Sequence, residues 1–149
     1  MVEEVLKHHP DVNATMSTGD TALSMLIKLN MPDSQKLGIL TILIRAGANV
    51  NVRSGEYNDT PIFKACYNYK AVPLLAKAGA DLNARDDLGR TPLMTCFDPD
   101  YLKALVAAGA DLTLRNRQGR TAAEAAAELG IANIAQLLNA LANTAKRQQ

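Results

Sequence analysis

The stretch AGADLNARDDLGRTPL, residues 78–93, decides how the chain is read, because it recurs. Residues 108–123 read AGADLTLRNRQGRTAA, and residues 46–62 read AGANVNVRSGEYNDTPI. HHPDVN at 8–13, followed by GDTAL at 19–23, is a degenerate further copy. The two halves of the pattern keep step. From the first residue of the first block to the threonine of the second, the distance is 13 residues in three copies (His8 to Thr21, Ala78 to Thr91, Ala108 to Thr121) and 14 from Ala46 to Thr60. A missed repeat miscalls a whole fold, so this periodicity outranks any local reading.

Each part of the pattern has a physical reason. Gly47, Gly79 and Gly109 directly follow apolar helical stretches, where a residue with positive φ ends a helix at little cost. Gly19, Gly89 and Gly119, with Asn58 in the remaining copy, precede a threonine that is followed by Pro or Ala and an apolar run. Asn is the non-glycine residue most at ease in the left-handed region, so that exchange is chemically consistent. The threonine hydroxyl is expected to cap the next helix, with Pro61 and Pro92 at the first helical position, where no N–H is needed.

Between these marks the chain alternates two short helices per unit. In the last unit, 122–129 forms the first helix and Gly130 the turn, while Ile131, Ile134, Leu137, Leu138 and Leu141 line one face of the second. Earlier second helices carry Leu37, Leu40, Leu43 and Ile44, then Val72, Leu74 and Leu75, then Tyr101, Leu102, Leu105 and Val106. Asp98 is expected to cap its helix, and Pro73 and Pro99 to sit in first turns.

Composition agrees with packed helices. The chain has 149 residues, 48% of them hydrophobic, enough for the core of one ordinary domain. Its 24 alanines and 20 leucines stand against only 4% aromatics, which favours close helix packing over sheets. Sixteen Lys plus Arg against fifteen Asp plus Glu give a net charge of +1, so no nucleic acid is implied as a partner. The longest uncharged apolar run, LGILTILI at 37–44, is too short to span a bilayer, and MVEEVLKHHP lacks the basic start of a signal peptide. Two cysteines without a CxxC make no disulfide framework and point to a reducing, cytoplasmic compartment.

In its Thr-Pro-Leu openings, alanine-rich helix pairs and Ala-Gly-Ala-Asp-Leu-Asn endings, the chain resembles the ankyrin-repeat family. The resemblance implies an all-α fold, an ankyrin-like α-solenoid of stacked helix-turn-helix units joined by hairpin-like loops. It divides residues 1–141, a single domain, into a half repeat (1–14), repeat 1 (15–53), repeat 2 (54–84), repeat 3 (85–114) and a C-terminal repeat (115–141), with 142–149 as a polar tail. Thr-to-Thr distances of 39, 31 and 30 differ from the roughly 33 residues of the family. Length is therefore expected to vary between the helices of a unit, with an insertion around 30–36 and shortened turns at 67–71 and 97–100.

Three departures from the family pattern stand out. Its usual His after Thr-Pro-Leu is replaced by Ser24, Phe63, Met94 and Glu124, which alters or removes a repeated Thr/His hydrogen-bond network. The apolar stripe of Val2, Val5 and Leu6 lacks a partner helix, as in a chain cut from a longer one or in a half repeat used as a cap. An extra residue between Val50 and Asp59 places Ser54, Gly55, Glu56 and Tyr57 on a longer tip.

Parts for catalysis are few. The chain has no GxxxxGK, GxGxxG, GxSxG or HExxH motif. His8 and His9 are adjacent, about 100° apart on a helix, whereas a zinc site needs three or four converging ligands. Cys66 and Cys96 occupy near-equivalent places in adjacent first helices and read as buried free thiols, with a redox pair or a nucleophile as the alternative, although no His or other base is placed to activate either. No catalytic residue, metal, cofactor or small-molecule substrate is expected, and the chain reads as a non-enzyme.

The resemblance instead implies a protein-binding module, monomeric on its own, acting through a concave groove of loop tips and first helices. Matching positions put Ser17, Thr18, Asp20, Glu56, Tyr57, Asp59, Asp87, Leu88, Arg90, Arg117, Gln118 and Arg120 on the tips. First-helix ends add Lys28 and Tyr67 to the partner-binding set, with Asn68, Tyr69 and Phe97 beside them. Tyr and Arg are favoured binding anchors, although Phe63, Tyr69 and Phe97 could equally fill gaps left by shortened turns. Arg85, Arg90, Arg115, Arg117 and Arg120 read either as a solvated loop edge or as a contact for an anionic partner. Acids on the first two tips and arginines on the last two would make the groove electrically bipolar. A dedicated inhibitor or toxin-neutralising (immunity) protein is the alternative reading, and a fragment of a larger enzyme is the reading from another class.

Overall fold

The computed structural model describes residues 11–147, and the structural statements below concern these residues. The stripe of Val2, Val5 and Leu6 and the pair His8 and His9 lie outside them. Repeat 1 comprises α1 (Ala22–Lys28) and α2 (Asp33–Arg45). Repeat 2 comprises α3 (Pro61–Lys64), two 3-10 turns (Ala65–Tyr67 and Tyr69–Ala71) and α4 (Val72–Lys77). Repeat 3 holds a 3-10 turn (Pro92–Met94) and α5 (Pro99–Ala107). The last unit pairs α6 (Ala122–Glu128) with α7 (Ala132–Arg147). Only isolated bridges, Thr15 with Thr21 and Ser54 with Asp59, interrupt an otherwise helical architecture among the described residues.

Two of the four threonine caps form as expected. Thr21 and Thr121 make reciprocal capping boxes with Ser24 and Glu124, the side chains that replace the family histidine. The Thr60 and Thr91 hydroxyls, by contrast, are buried with no hydrogen-bond partner. The amides three residues on, Phe63 and Met94, bond instead to the Thr60 and Thr91 carbonyls in 3-10 fashion (3.0 and 2.9 Å), and the apolar Phe63 and Met94 side chains return nothing.

The turn of repeat 2 is short, with Asn68 alone between two 3-10 turns, whereas in repeat 3 the four residues 95–98 separate the inner segment from α5. In repeat 3 the missing residues come out of the inner helix, which is reduced to a three-residue 3-10 turn, while in repeat 2 the inner segment keeps its length over 61–67, ending in 3-10 form, and α4 is cut to six residues. A 3-10 turn rises about 2.0 Å per residue against about 1.5 Å in an α-helix, so fewer residues cover the same distance. The insertion in repeat 1 lengthens α2 to 13 residues, and its buried Lys36 ties it back by donating to the Ile27 carbonyl near the end of α1 (3.3 Å). In the segment read as a polar tail, α7 runs on through 142–147. Ala142 and Ala145 continue the stripe of Leu138 and line a cavity with Val106 and Leu112.

Stacking is built from the repeated blocks. Asp11, Asn49, Asp81 and Asp111 each accept a hydrogen bond from the amide two residues on (2.8–2.9 Å), which turns the chain at corresponding positions of the repeat. The next asparagine crosses to the following unit. Asn13 Nδ2 donates to the Gly47 carbonyl (3.1 Å) and its Oδ1 accepts from the Asn49 amide (2.7 Å). Asn51 repeats both bonds with Gly79 and Asp81, and Asn83 accepts from the Asp111 amide. A parallel ladder runs through arginine: Arg53 donates to the Arg85 carbonyl and Arg85 to the Arg115 carbonyl (both 2.7 Å). Between the ladders the apolar stripes merge into one continuous core from Leu23 to Leu138. Tyr101 is fully buried within it and donates to the Ile62 carbonyl of the preceding unit (2.8 Å).

Candidate functional site

The tips of repeats 2 and 3, their inner segments and Lys28 at the end of α1 line an open cavity of about 560 Å³. The structure brings Lys28, Glu56, Tyr57, Asp59, Tyr67 and Arg90 of the sequence-predicted set together on its wall. Ser17, Thr18, Asp87, Leu88, Arg117 and Gln118 are exposed on tips outside that cavity. Phe63, Lys64, Cys66, Asp86, Thr95 and Cys96 also line it and were not singled out as partner-binding. Lys64 carries the one signal that could have found it, a charged residue at an inner-helix position four residues after the repeat threonine, where its sister units place Met25, Thr95 and Ala125.

The longer tip is formed by a pair of hydrogen bonds between Ser54 and Asp59 (2.9 and 3.1 Å) that closes the loop 55–58. Asn58 adopts φ 55°, as its place in the pattern requires, and is the one non-glycine with positive φ among the described residues. The Asp87 amide donates to the Tyr57 carbonyl (3.0 Å), joining this tip to the next. Tyr57 is 43% exposed and Tyr67 74% exposed, while Phe63 is buried and Phe97 half-buried. The Arg90 guanidinium lies 5.2 Å from the Tyr57 ring centroid, a cation–π contact, and its Nε donates to buried Asp86 (2.7 Å).

Asp20 departs from the expected display. It is 5% exposed and turned into the stack, where Oδ1 accepts from Ser24 and Ser54 (both 2.9 Å) and Oδ2 from Lys28 (3.1 Å). Lys64, itself buried, stands 3.8 Å from Asp20, bonds to Ser54 Oγ (2.8 Å) and pairs with Asp59. Burial alone would push the Asp20 carboxyl up. Hydrogen bonds from Ser24, Lys28 and Ser54 and the Lys28 charge prevail and bring it down from 3.8 to about 2.

The expected bipolar groove is accordingly muted, because most tip charges are satisfied within the protein. Arg85 and Arg115 hold carbonyls, Arg115 also pairs with Glu124 (2.8 Å), and Arg120 pairs with Glu128. Glu56 and Arg117 are exposed and make no ion pair with another described residue. The Arg117 stem lies across Gly89, where an added Cβ would stand 2.7 Å from Arg117 Cγ, so the glycine is needed for close approach as well as for its φ of +73°.

Cys66 and Cys96 are not the buried free thiols expected. Both are half-buried on the cavity wall, and their sulfurs meet as a disulfide across repeats 2 and 3, with the Cα atoms 6.2 Å apart. Among the described residues no three His, Cys, Asp or Glu side chains are grouped to hold a metal, and no helix is long and apolar enough to cross a membrane.

Against known proteins, the sequence matches the family described as ankyrin repeats (3 copies) over residues 33–116, more than half of its length. No curated protein matches the chain.

Proposed function

Because the chain belongs to the ankyrin-repeat family, whose members are generally protein-interaction modules, we propose that it binds a protein partner through the concave groove, without catalysing a reaction. The supporting observation is the display of Tyr57 and Tyr67 on the wall of the 560 Å³ cavity, in a chain with only 4% aromatics. Rigid aromatics give a large contact area for little lost side-chain entropy, and arginine beside them adds directional hydrogen bonding. The ladders explain how such a surface stays in register, since each unit is pinned to the next at the base of its tip.

The contact set under this reading is Tyr57, Tyr67, Glu56, Lys28, Asp59 and Arg90 around the cavity, extended by Ser17, Thr18, Asp87, Leu88, Arg117 and Gln118 on the tips. Asp20 leaves the set because its carboxylate is spent inside the stack, and Arg120 is engaged with Glu128.

The test is quantitative capture with the purified chain as bait, comparing wild type with Tyr57→Ala, Tyr67→Ala and Arg117→Ala, and with Lys77→Ala on α4 as a control. Groove substitutions should lower recovery of a reproducible partner at least tenfold while the control leaves it unchanged. Retained recovery in all three groove variants, or loss in the control alone, would move the site to the opposite face. If the partner is an enzyme, its activity with and without the chain separates a scaffold from an inhibitor.

A further inference from the structure

Cys66 lies six residues after Thr60, and Cys96 five after Thr91. The repeat step between those threonines is 31 residues, so stacking sets the two side chains against each other across the unit boundary. Their Cα separation of 6.2 Å falls within the range of about 4.4–6.8 Å that a disulfide can close without backbone movement. Neither cysteine is sealed in the core, since both residues are half-buried and line the open 560 Å³ cavity. Nor is the supporting chain regular helix. Cys66 sits in the 3-10 turn Ala65–Tyr67, and Cys96 follows the end of the turn Pro92–Met94. A lost cross-link there releases backbone that no α-helical ladder holds. No other cysteine is present to compete for either partner.

We propose that Cys66 and Cys96 are a reversible modification site, a dithiol that closes to an inter-repeat disulfide by exchange with a low-molecular-weight disulfide such as oxidised glutathione. One cysteine, as its thiolate, attacks a sulfur of the small disulfide, forming a mixed disulfide and expelling one small thiolate, which takes up a proton. The second cysteine thiolate then attacks the protein sulfur of the mixed disulfide, closing the Cys66–Cys96 bond and expelling the second small thiolate. The protein loses two electrons and two protons, and the small disulfide becomes two thiols. Cys66 precedes the exposed Tyr67 and Cys96 precedes Phe97, so the bond holds the spacing of two aromatic residues beside the cavity. The consequence for partner binding rests on the groove reading, whereas the redox chemistry does not.

The test equilibrates the purified chain in buffers of graded reduced to oxidised glutathione, quenches with acid and labels free thiols with a mass-tagged maleimide. Mass spectrometry should find chains with two labels or none, changing over in a single transition governed by the square of the reduced glutathione concentration divided by the oxidised. Cys66→Ser and Cys96→Ser should each instead accumulate one glutathione adduct. In the wild type, hydrogen exchange of amides in 61–67 and 92–98 should slow severalfold on oxidation, a readout that needs neither a variant nor a partner. Two labels at every ratio, disulfides formed mainly between chains, or a bond that reduced glutathione cannot open would overturn the proposal. Unchanged exchange in both segments would overturn the hold on the groove. If the transition appears but the partner binds both forms equally, the groove consequence fails and the redox site stands.

Discussion

Replacing Asp20 with Asn should destabilise the stack at neutral pH and flatten its response to acid. The substitution keeps the shape of the side chain and an acceptor for Ser24 and Ser54, but removes the charge that faces Lys28 at 3.1 Å and Lys64 at 3.8 Å. The carboxyl lies at about 2 in the fold against an ordinary 3.8. At about 1.4 kcal/mol for each tenfold change in proton affinity, that difference corresponds to about 2.5 kcal/mol. Lys28 is 37% exposed, and solvent screens its share, so about 1.5–2.5 kcal/mol is expected. With a urea m-value of about 1–3 kcal/mol per M, the unfolding midpoint of Asp20→Asn should fall by about 1 M.

The sign follows from linkage. A carboxyl depressed in the folded state contributes stability that is fully present above its unfolded value of 3.8 and is lost as the pH falls towards about 2. The difference between wild type and variant, followed by far-UV circular dichroism in urea, should therefore hold steady from neutral pH to about 4.5 and shrink below it. Other carboxylates titrate in the same range but are common to both proteins and cancel. An unchanged midpoint at neutral pH, or parallel loss of stability in both proteins on acidification, would refute the assignment of Asp20 to an inward structural pair.

The threonine caps supply an internal contrast. Thr21→Val and Thr121→Val should each cost about 1 kcal/mol in thermal or urea melts, because a capping box is lost. Thr60→Val and Thr91→Val, which remove unpartnered buried hydroxyls, should be neutral or stabilising, and a cost above about 1 kcal/mol would mean those hydroxyls are satisfied. Arg85→Ala should lower the melting temperature, with a cost of about 1–2 kcal/mol, by freeing the Gly89 and Arg115 carbonyls, without changing which partner the groove captures. Tyr101→Phe should cost about 1 kcal/mol in urea melts through the lost bond to Ile62. Burial, with Asp59 nearby, pushes the Tyr101 phenol far above its ordinary range. In a spectrophotometric titration it should stay silent until the chain unfolds.

Where the sequence was legible, the cause of structure lay close along the chain. Asn58 at positive φ, Asp98 as a cap donating nothing and accepting from the Asp100 and Tyr101 amides, and Pro61, Pro73, Pro92 and Pro99 in first turns all follow from preferences of one residue and its near neighbours. The second helices carry their apolar stripes where the spacing put them, since periodicity is a local property. The shortened units were legible as shortened, but that repeat 3 loses its inner helix rather than its turn was not. Thr91 opens a 3-10 turn, and Tyr101, ten residues on, donates to the Ile62 carbonyl of the preceding unit, a contact that no local preference of the sequence announces.

By itself the sequence determined the repeat, its punctuation and which helical faces are apolar, because dihedral preferences, caps and periodicity act over a few residues. The tertiary structure alone decided which charges remain outside. Asp20 and Ser54 are 34 residues apart in sequence and 2.9 Å apart in the stack, and Arg85 reaches a carbonyl 30 residues on. Electrostatic pairing and burial depend on distance in space, so residues that read alike on different tips, Asp20 and Asp87 or Arg85 and Arg117, were separated into structural and displayed groups only when the units were laid against one another.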